Sequence, residues 1–382
     1  MSTKFKDFFK KSARSAEPNA AIKIGGSLWK SDKIKISYVS VSSSIGPEAS
    51  TCSVELIQPH KKITWDNGKI KNDNAISKIK AGEEIEVLLG YDKSEKLKES
   101  VFTGYISAFD VEYDNEQNIK IIIQGMDVKM WMMINKKTEL KKNTKKYSAV
   151  VSNLLKDYSS KLEGKKVTIS SEASFEKEIY QRNESDFEFL SRIADLTGSL
   201  FFIDRKGEFK FISPSVEKTN KLTIKPSGGV EHLRSTINIW GIPKSVEVSS
   251  IDQKDYQKLV TGKATTSDKL GKGDEATKLT KNIGASNVIR IVDNTVRSAE
   301  EAKFLAESIY NQMSLGLAET TVKIAGYPEA DLATGVKIED FDDPVDNEYI
   351  IVGIEQEYSF NPRKYSTTLK LKASRVTPKK KI

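Results

Sequence analysis

The stretch that decides the local fold covers residues 180–213 and reads YQRNESDFEFLSRIADLTGSLFFIDRKGEFKFIS. Ser185 is followed three positions later by Glu188, a capping box in which each side chain accepts a hydrogen bond from the other residue's backbone N–H. This pair predicts a helix that begins at Ser185 and ends at Gly198. Apolar side chains recur at helical spacing and predict its buried face: Phe187, Leu190, Ile193, Ala194 and Thr197.

A β-hairpin is predicted directly after this helix. Residues 200–203 form a short apolar run, and residues 204–207 supply turn chemistry because Gly207 can adopt a positive φ. Phe209 and Phe211 then alternate on the return strand. A helix that leads into a hairpin is a compact packing unit. The periodicity of its apolar residues alone does not indicate a function.

The same residues resemble a known signature. The run NESDFEFLSRIADLTGSLFFID is similar to a segment of the hub proteins of contractile injection machines, namely the late control protein D family of phage baseplate hubs and the hub portion of type VI secretion spike proteins. In that family a segment of the form ESDFxFLxRLxxxxG lies between two β-barrel domains. The structural signature residues here are Glu184, Ser185, Asp186, Phe187, Phe189, Leu190, Arg192 and Gly198.

The rest of the chain extends the resemblance over residues 20–375. Short runs of period-two alternation separated by turn residues fill 20–135 and return after 221, which is typical of barrels or sandwiches. The expected fold class is α+β, mainly β, with two tail-tube-like β-barrel domains flanking a small α+β middle domain. The expected ranges are a basic amphipathic arm at 1–19, a first barrel at 20–135, a middle domain at 136–220, a second barrel at 221–375 and a basic tail at 376–382.

Three polar or basic segments have two interpretations each. The arm at 1–19 could dock on a partner or an anionic membrane, although a frayed end that packs on its own or a neighbouring subunit is commoner. The lysine-rich run at 136–146 could meet phosphates, but its polarity favours a solvated connector between domains. Residues 252–287 are predicted to form a long surface loop that either contacts a neighbouring chain or becomes ordered on assembly. Residues 298–315 are predicted to form a capped helix.

Composition places limits on function. The 382 residues carry a formal charge of +8, a mild excess that argues weakly for a nucleic-acid partner when spread over two or three domains. A single cysteine, Cys52, excludes an intrachain disulfide, and its strand-like surroundings predict a small buried side chain. The sequence has no apolar run of about 18 residues and no signal-peptide core, which favours synthesis in the bacterial cytoplasm without a membrane anchor.

No catalytic, cofactor-binding or metal-binding residues are predicted. His60 and His232 lie in different predicted domains. Neither has a Cys or a second His nearby in the sequence at the spacing of a metal site. The nucleophile motif G-x-S-x-G and the phosphate loop G-x-x-x-x-G-K-[ST] are absent. Residues 339–346 are the densest acidic run, for which a solvated loop is favoured over a glycosidase pair or a weak cation site.

The resemblance implies a structural hub rather than an enzyme. In the family, two tube-like barrels per chain in a homotrimer make six barrels, a pseudo-sixfold ring that adapts a hexameric tail tube to a trimeric spike. The implied partners are the tail tube protein, a separate spike protein, the tape-measure protein in the lumen and other baseplate proteins. The particle would be an extracellular phage tail or tail-like bacteriocin, and sequence-specific nucleic acid binding is not expected.

Two other function classes remain open from the residues alone. One is a peptidoglycan-binding or wall-hydrolysing tail component, because carboxylates are abundant. The other is a basic nucleic-acid-binding protein, for which the lysine-rich run at 136–146 is the support.

Overall fold

The computed structural model describes residues 17–29, 34–46, 48–59, 64–66, 69–71, 79–113, 118–141, 146–170, 179–213, 222–252, 255–279 and 287–377. His60 and nearly all of the predicted N-terminal arm lie outside these ranges. The described chain is mainly β, with a small α+β unit between two β-barrels, as predicted.

Barrel 1 consists of strands whose inward residues are apolar and whose outward residues are polar. Its strands are β1 Asn19–Ile24, β2 Ser27–Leu28, β3 Lys35–Ser44, β4 Thr51–Pro59, β7 Glu84–Gly90, β8 Ser100–Tyr113 and β9 Asn118–Met126, whereas β5 Thr64–Asp66 and β6 Lys69–Lys71 pair with each other in a separate two-stranded sheet. Ile22 on β1 and Val41 on β3 share one buried cluster, although their strands stand at opposite ends of the order β3-β4-β9-β8-β7-β1. The sheet therefore wraps around its core.

The middle domain packs its helices on two small sheets. Its elements are α1 Lys129–Met132, β10 Lys136–Lys141, α2 Tyr147–Leu155, β11 Val167–Ile169, β12 Ile179–Ser185, α3 Asp186–Thr197, β13 Leu200–Ile203 and β14 Phe209–Ile212. β10 pairs with β12, and β14 lies between β11 and β13. The predicted helix and hairpin form the centre of this core, where Phe189, Leu190, Phe209 and Phe211 are fully buried.

Barrel 2 contains an inserted subdomain. The barrel strands are β15 Leu222–Ile224, β16 Val230–Ile237, β20 Ala318–Ala325, β21 Gly335–Ile338, β22 Asn347–Phe360 and β23 Arg363–Ala373. The insertion holds β17 Ser245–Ile251, β18 Leu259–Ala264, α4 Ala276–Leu279, β19 Val288–Val292 and α5 Ala299–Ser314. Its own small core forms where α5 packs on β17 and β18, with Tyr310 buried against Val246 and Val248.

The two barrels have the same strand order. Barrel 1 is ordered β3-β4-β9-β8-β7-β1, and barrel 2 is ordered β16-β20-β23-β22-β21-β15. If the six principal strands of each barrel are numbered one to six in chain order, their order across the sheet is 2-3-6-5-4-1 in both barrels. The insertion lies between the second and third strands of barrel 2, where barrel 1 has a short loop.

The registers of the two barrels also agree. The second strand has an extra residue at Ser37 in β3 and at Glu231 in β16, and the fifth strand has one at Ser107 in β8 and at Val352 in β22. β-bulges bend a strand at a defined position, so two bulges at equivalent ladder positions indicate one shared backbone plan. The two barrels are therefore copies of one structural module.

The turn before the fourth strand repeats this equivalence. The Gly82 N–H donates to the Ile106 carbonyl at 2.8 Å, and the Ala333 N–H donates to the Ile351 carbonyl at 2.9 Å. Both turn residues have positive φ, 80° and 58°. The first strands differ, because β1 runs antiparallel to β7 whereas β15 runs parallel to β21.

The structure departs from the predicted organisation in three places. Residues 136–141 of the expected connector form β10, because pairing with β12 satisfies the backbone hydrogen bonds of this polar segment and Lys137 donates to the buried Asp186. The expected loop at 252–287 contains β18, which pairs with β17. Val376, expected in a basic tail, is 2% exposed and forms a bridge with Asp274.

Candidate functional site

The signature helix α3 starts and ends as the sequence indicates. The Ser185 N–H donates to Glu188 Oε2 at 2.7 Å, and the Glu188 N–H donates to Ser185 Oγ at 3.1 Å. Gly198 ends the helix with φ 61°, in the left-handed region that glycine adopts without strain. These local contacts fix both ends of α3.

Two charged signature residues, Arg192 and Glu184, hold β12 against α3. Arg192 donates to both carboxylate oxygens of Glu184, at 2.7 and 2.8 Å, and to the Tyr180 carbonyl at 2.7 Å. The hydrogen bonds from Arg192 hold the pKa of Glu184 below its usual range. Such bidentate pairing favours one geometry, so the strand enters the helix at a set angle.

Asp186 is a buried acceptor at the start of the same helix. Its side chain is 1% exposed and accepts from Lys137 Nζ at 2.8 Å, Tyr158 Oη at 2.7 Å and Gln181 Nε2 at 2.8 Å. Burial by itself raises the pKa of Asp186, but these three hydrogen bonds outweigh it, and the pKa is lowered overall. One carboxylate thus joins β10, β12 and the 3-10 turn that follows α2 to α3.

Gly198 connects the signature to the insertion. A Cβ atom placed on Gly198 would lie 3.1 Å from Ser308 Oγ and 3.3 Å from Ser308 Cα, on helix α5. The Ser308 hydroxyl donates to the Asp195 carbonyl at 2.5 Å, next to this close approach. The glycine therefore provides the space for helix-to-helix contact as well as the turn.

The hairpin tip, residues 204–207, meets both barrels. Arg205 Nη1 donates to Glu99 Oε2 at 2.9 Å and to the Ser100 carbonyl at 2.8 Å, both on the barrel 1 side. Its Nε lies 4.0 Å from Asp331 Oδ2 of barrel 2, and its own carbonyl accepts from Thr103 Oγ1 at 3.2 Å. Arg205 was not predicted, since a turn arginine has no local signal that reveals distant partners.

A buried lysine joins barrel 1 to the middle domain and was also missed. Lys129 is fully buried, donates to the Glu48 carbonyl at 2.7 Å and lies 4.9 Å above the Phe201 ring. Asp127 beside it accepts from the backbone N–H groups of Ser50 and Lys129 at 2.7 and 2.8 Å. Burial lowers the pKa of Lys129 and raises the pKa of Asp127.

The barrels join directly through a strand junction. The second strand of barrel 1, β3, pairs antiparallel with the fifth strand of barrel 2, β22, over residues 38–44 and 353–359. The Tyr91 hydroxyl donates to the Gly326 carbonyl at 3.1 Å beside it, and the Tyr91 and Tyr365 ring centroids are 5.8 Å apart. Eight strands thus follow one another in a single sheet, β16-β20-β23-β22-β3-β4-β9-β8.

The face of this eight-strand sheet that points away from both cores is polar. In barrel 1 it carries small hydroxyl and amide side chains around a shallow groove of about 350 Å³: Ser40, Ser42, Thr51, Ser53, Ser107 and Gln124. In barrel 2 it carries ion pairs: Lys323 with Glu357 at 3.1 Å, Lys370 with Glu355 at 2.7 Å and Lys372 with Glu319 at 2.8 Å. A continuous apolar binding surface is therefore not built on this face.

Catalytic or metal-binding chemistry would need clustered ligands or an activated nucleophile. The described ranges hold no cluster of three or more His, Cys, Asp or Glu side chains able to bind a metal ion. The acidic run at 339–346 is a turn in which Asp346 accepts from the N–H groups of Asp340, Phe341 and Asp342. Cys52 is buried as predicted, and burial raises the pKa of its thiol. No helix in the described part of the chain has the length and apolar character to cross a bilayer.

Comparison with solved structures identifies the class of fold. The 43 kDa tail protein of prophage MuSo2 from Shewanella oneidensis is similar, with 16% identity, a TM-score of 0.66, and coverage of 94% of this chain and 98% of that one. A tail protein from Neisseria meningitidis has 12% identity and a TM-score of 0.66, over 93% and 96% of the two chains. A type VI secretion component of E. coli has 11% identity and a TM-score of 0.58, over 92% and 76%.

These likenesses confirm the fold that the signature predicted, which phage tail proteins share with a type VI secretion component. The model of the family described as the Alg8 N-terminal domain matches residues 20–359, and the chain belongs to this family. No curated protein matches the sequence.

Proposed function

We propose that the chain is the structural baseplate hub of a contractile injection system, either a phage tail or a tail-like bacteriocin. In this proposal it forms a homotrimer, and its six barrels make a pseudo-sixfold ring. The ring adapts a hexameric tail tube on one side to a separate trimeric spike on the other. The tape-measure protein and other baseplate proteins are its further neighbours in the extracellular particle.

The observation that carries the proposal is the equivalence of the two barrels. They share strand order, the register of the ladders among their second to sixth strands and both bulges, so one chain presents two modules of the same architecture side by side. A ring closes when each unit offers the same head-to-tail interface to the next. Three chains with two modules each supply six such units, which matches a sixfold tube on one face and a threefold spike on the other.

Two further features support this role. The sheet face turned away from the cores bears hydroxyl groups and paired charges, and a channel lined with them would let a polypeptide or DNA pass without sticking. The middle domain touches both barrels through Arg205, so it can hold the two modules at the constant angle that ring closure requires. We propose this spacer role for the signature residues too.

The test is the mass of the native particle. The purified chain, alone and mixed with its candidate spike protein, should give a species of three times 42.7 kDa, and the spike should add as a further trimer. Electron microscopy of this species should show a ring with six similar lobes. A chain that stays monomeric with the spike present, or a ring with a number of lobes other than six, would overturn the proposal.

A further inference from the structure

We propose that residues 374–376, directly after the last strand of barrel 2, form a strap that locks the inserted subdomain against barrel 2 and against the signature helix α3. When the strap is released, the subdomain moves as one body about the two crossings that connect it to the barrel. Every contact involved lies within one chain, so this inference goes beyond the proposed ring and does not depend on it.

The strap is held by a loop in the middle of the insertion. The Leu270 carbonyl accepts hydrogen bonds from the N–H groups of Ser374 and Arg375, at 2.7 and 3.1 Å. Asp274 and Val376 exchange both backbone hydrogen bonds, at 2.8 and 3.0 Å, as directly opposite residues of an antiparallel pair do. The strap therefore continues β23 into a short ladder with the insertion.

Two glycines make this close approach possible. Gly271 and Gly273 have φ of 108° and 91°. A Cβ atom added to Gly271 would lie 2.7 Å from the Arg375 carbonyl oxygen, and one added to Gly273 would lie 2.3 Å from the Val376 carbonyl oxygen. Only glycine leaves room for backbone at these distances. The run LGKGD at 270–274, which has no phosphate-loop pattern, is thus the seat of the strap.

The strap and its seat also close the end of the barrel 2 core. Three of their apolar side chains are buried there, between 2% and 4% exposed: Leu270, Ala276 and Val376. The Asn347 side chain, at the start of β22, donates to the Arg375 carbonyl and accepts from the Lys272 N–H, both at 2.7 Å. The middle of the insertion is therefore anchored to the barrel separately from its two ends.

A path of hydrogen bonds leads from the strap to the signature helix. Ser374 Oγ donates to the Asp268 carbonyl at 2.7 Å. Asp268 in turn makes two hydrogen bonds with the Asn311 side chain on α5, at 2.8 and 2.9 Å. Ser308 lies three residues before Asn311 on α5 and donates to the Asp195 carbonyl of α3 at 2.5 Å. The strap therefore sets the position of α5 against α3.

The insertion is built to move as one body. Its sheet and α5 enclose a core of their own, separate from the core of barrel 2. Its two crossings to the barrel run side by side, because the Asn238 N–H donates to the Leu317 carbonyl at 2.9 Å. Each crossing carries a glycine, Gly241 and Gly316, and a Cβ atom on Gly241 would meet nothing within 4 Å. Two adjacent crossings with such residues make a hinge.

The equivalent corner of barrel 1 is held in the same way. Ladder partners counted from the equivalent bulges make Lys129 equivalent to Arg375. Lys129 Nζ donates to the Glu48 carbonyl at 2.7 Å, in the turn between the second and third strands of barrel 1. Arg375 Nη2 lies 3.9 Å from Glu275 Oε2, in the connection between the second and third strands of barrel 2. Each module thus uses the segment after its sixth strand to hold this connection.

Thiol labelling of the full chain measures release of the strap. Ser308→Cys places a thiol at a site that is 3% exposed and contacts α3, and Val248→Cys places one in the core of the insertion itself. Adding Ser374→Ala removes the hydroxyl that binds Asp268, so labelling at 308 should become about 2- to 10-fold faster, the factor expected from one lost hydrogen bond. Labelling at 248 should not change, because that core moves with the subdomain. The native Cys52 is buried and contributes a constant background.

Gly273→Ala is a second strap variant that acts on the ladder directly. It should accelerate labelling at 308 more than Ser374→Ala does, because the added Cβ displaces the Val376 backbone. Its control is Gly164→Ala, where φ is also positive, 71°, but the added Cβ meets nothing within 4 Å; both thiols should then label at the rates of the parent chain.

Two results would overturn the strap. One is an unchanged labelling rate at 308 in both strap variants. The other is equal acceleration at 308 and 248, which would mean that the insertion unfolds instead of moving as one body. The mass of the native particle tests the hub proposal separately, so failure of one proposal leaves the other intact.

Discussion

Asp186→Asn is the most informative single substitution in the signature helix. The side chain is 1% exposed and receives three donors, with Lys137 Nζ and the Tyr158 hydroxyl on Oδ2 and the Gln181 amide on Oδ1. Asparagine keeps the shape but loses the charge. In either orientation its NH2 group also faces at least one donor, which leaves that donor without an acceptor.

The expected loss follows from these contacts. A hydrogen bond to a charged group contributes about 1.5–3 kcal/mol, and a buried donor left unsatisfied costs about 1–3 kcal/mol. The Lys137 side chain is 34% exposed and also contacts Asp157, so its share is small. We therefore expect a loss of about 2–4 kcal/mol in the free energy of unfolding of the middle domain.

The loss should depend on pH. The folded pKa of Asp186 lies below its ordinary value, so the carboxylate stabilises the fold above the unfolded pKa of about 4. That contribution disappears as the pH falls through the folded pKa. The difference between the wild type and Asp186→Asn should therefore be full at neutral pH and shrink below about pH 4.

Urea unfolding measures this difference, with Trp131 near the middle-domain core as a fluorescent reporter. The matched control is Asp157→Asn, whose carboxylate contacts the same Lys137 at 3.2 Å but is 63% exposed. The control should change stability by no more than about 0.5 kcal/mol. The reasoning would be refuted if the two substitutions had equal effects. It would also be refuted if the difference in the free energy of unfolding between the wild type and Asp186→Asn persisted in acid.

Three further predictions concern neighbouring positions. Gly198→Ala should lower the melting temperature more than Gly164→Ala. Both glycines have positive φ, 61° and 71°, but an added Cβ would contact Ser308 only at Gly198. Equal decreases in melting temperature would show that the contact with α5 does not contribute to stability. Arg205→Ala should lower the free energy of unfolding in urea by about 1–3 kcal/mol through the loss of partly buried hydrogen bonds. Lys206→Ala at the same turn should be nearly neutral. Leu190→Asp should abolish the folded middle domain and trimer assembly, because it places an unpaired carboxylate at a fully buried position. The control Leu190→Met should assemble normally, as measured by native mass. Assembled particles from Leu190→Asp would contradict the packing of α3.

The elements that the sequence predicts well are those whose causes lie within a few residues. The capping box of Ser185 and Glu188, the glycine end at Gly198 and the turn at Gly207 each depend on one local backbone requirement, and all three are found as expected. Alternation of polar and apolar residues likewise reveals most barrel strands. The class of fold could therefore be named from the chain alone.

Tertiary structure decided everything that joins distant segments. Lys129, Arg205 and Tyr91 meet partners far along the chain, and nothing beside them in the sequence distinguishes them from solvated residues. The duplication of the barrels is hidden for the same reason. Backbone register and bulges define it, while the outward polar side chains differ between the two modules, because hydrogen-bonded ladders do not constrain which polar residue faces the solvent.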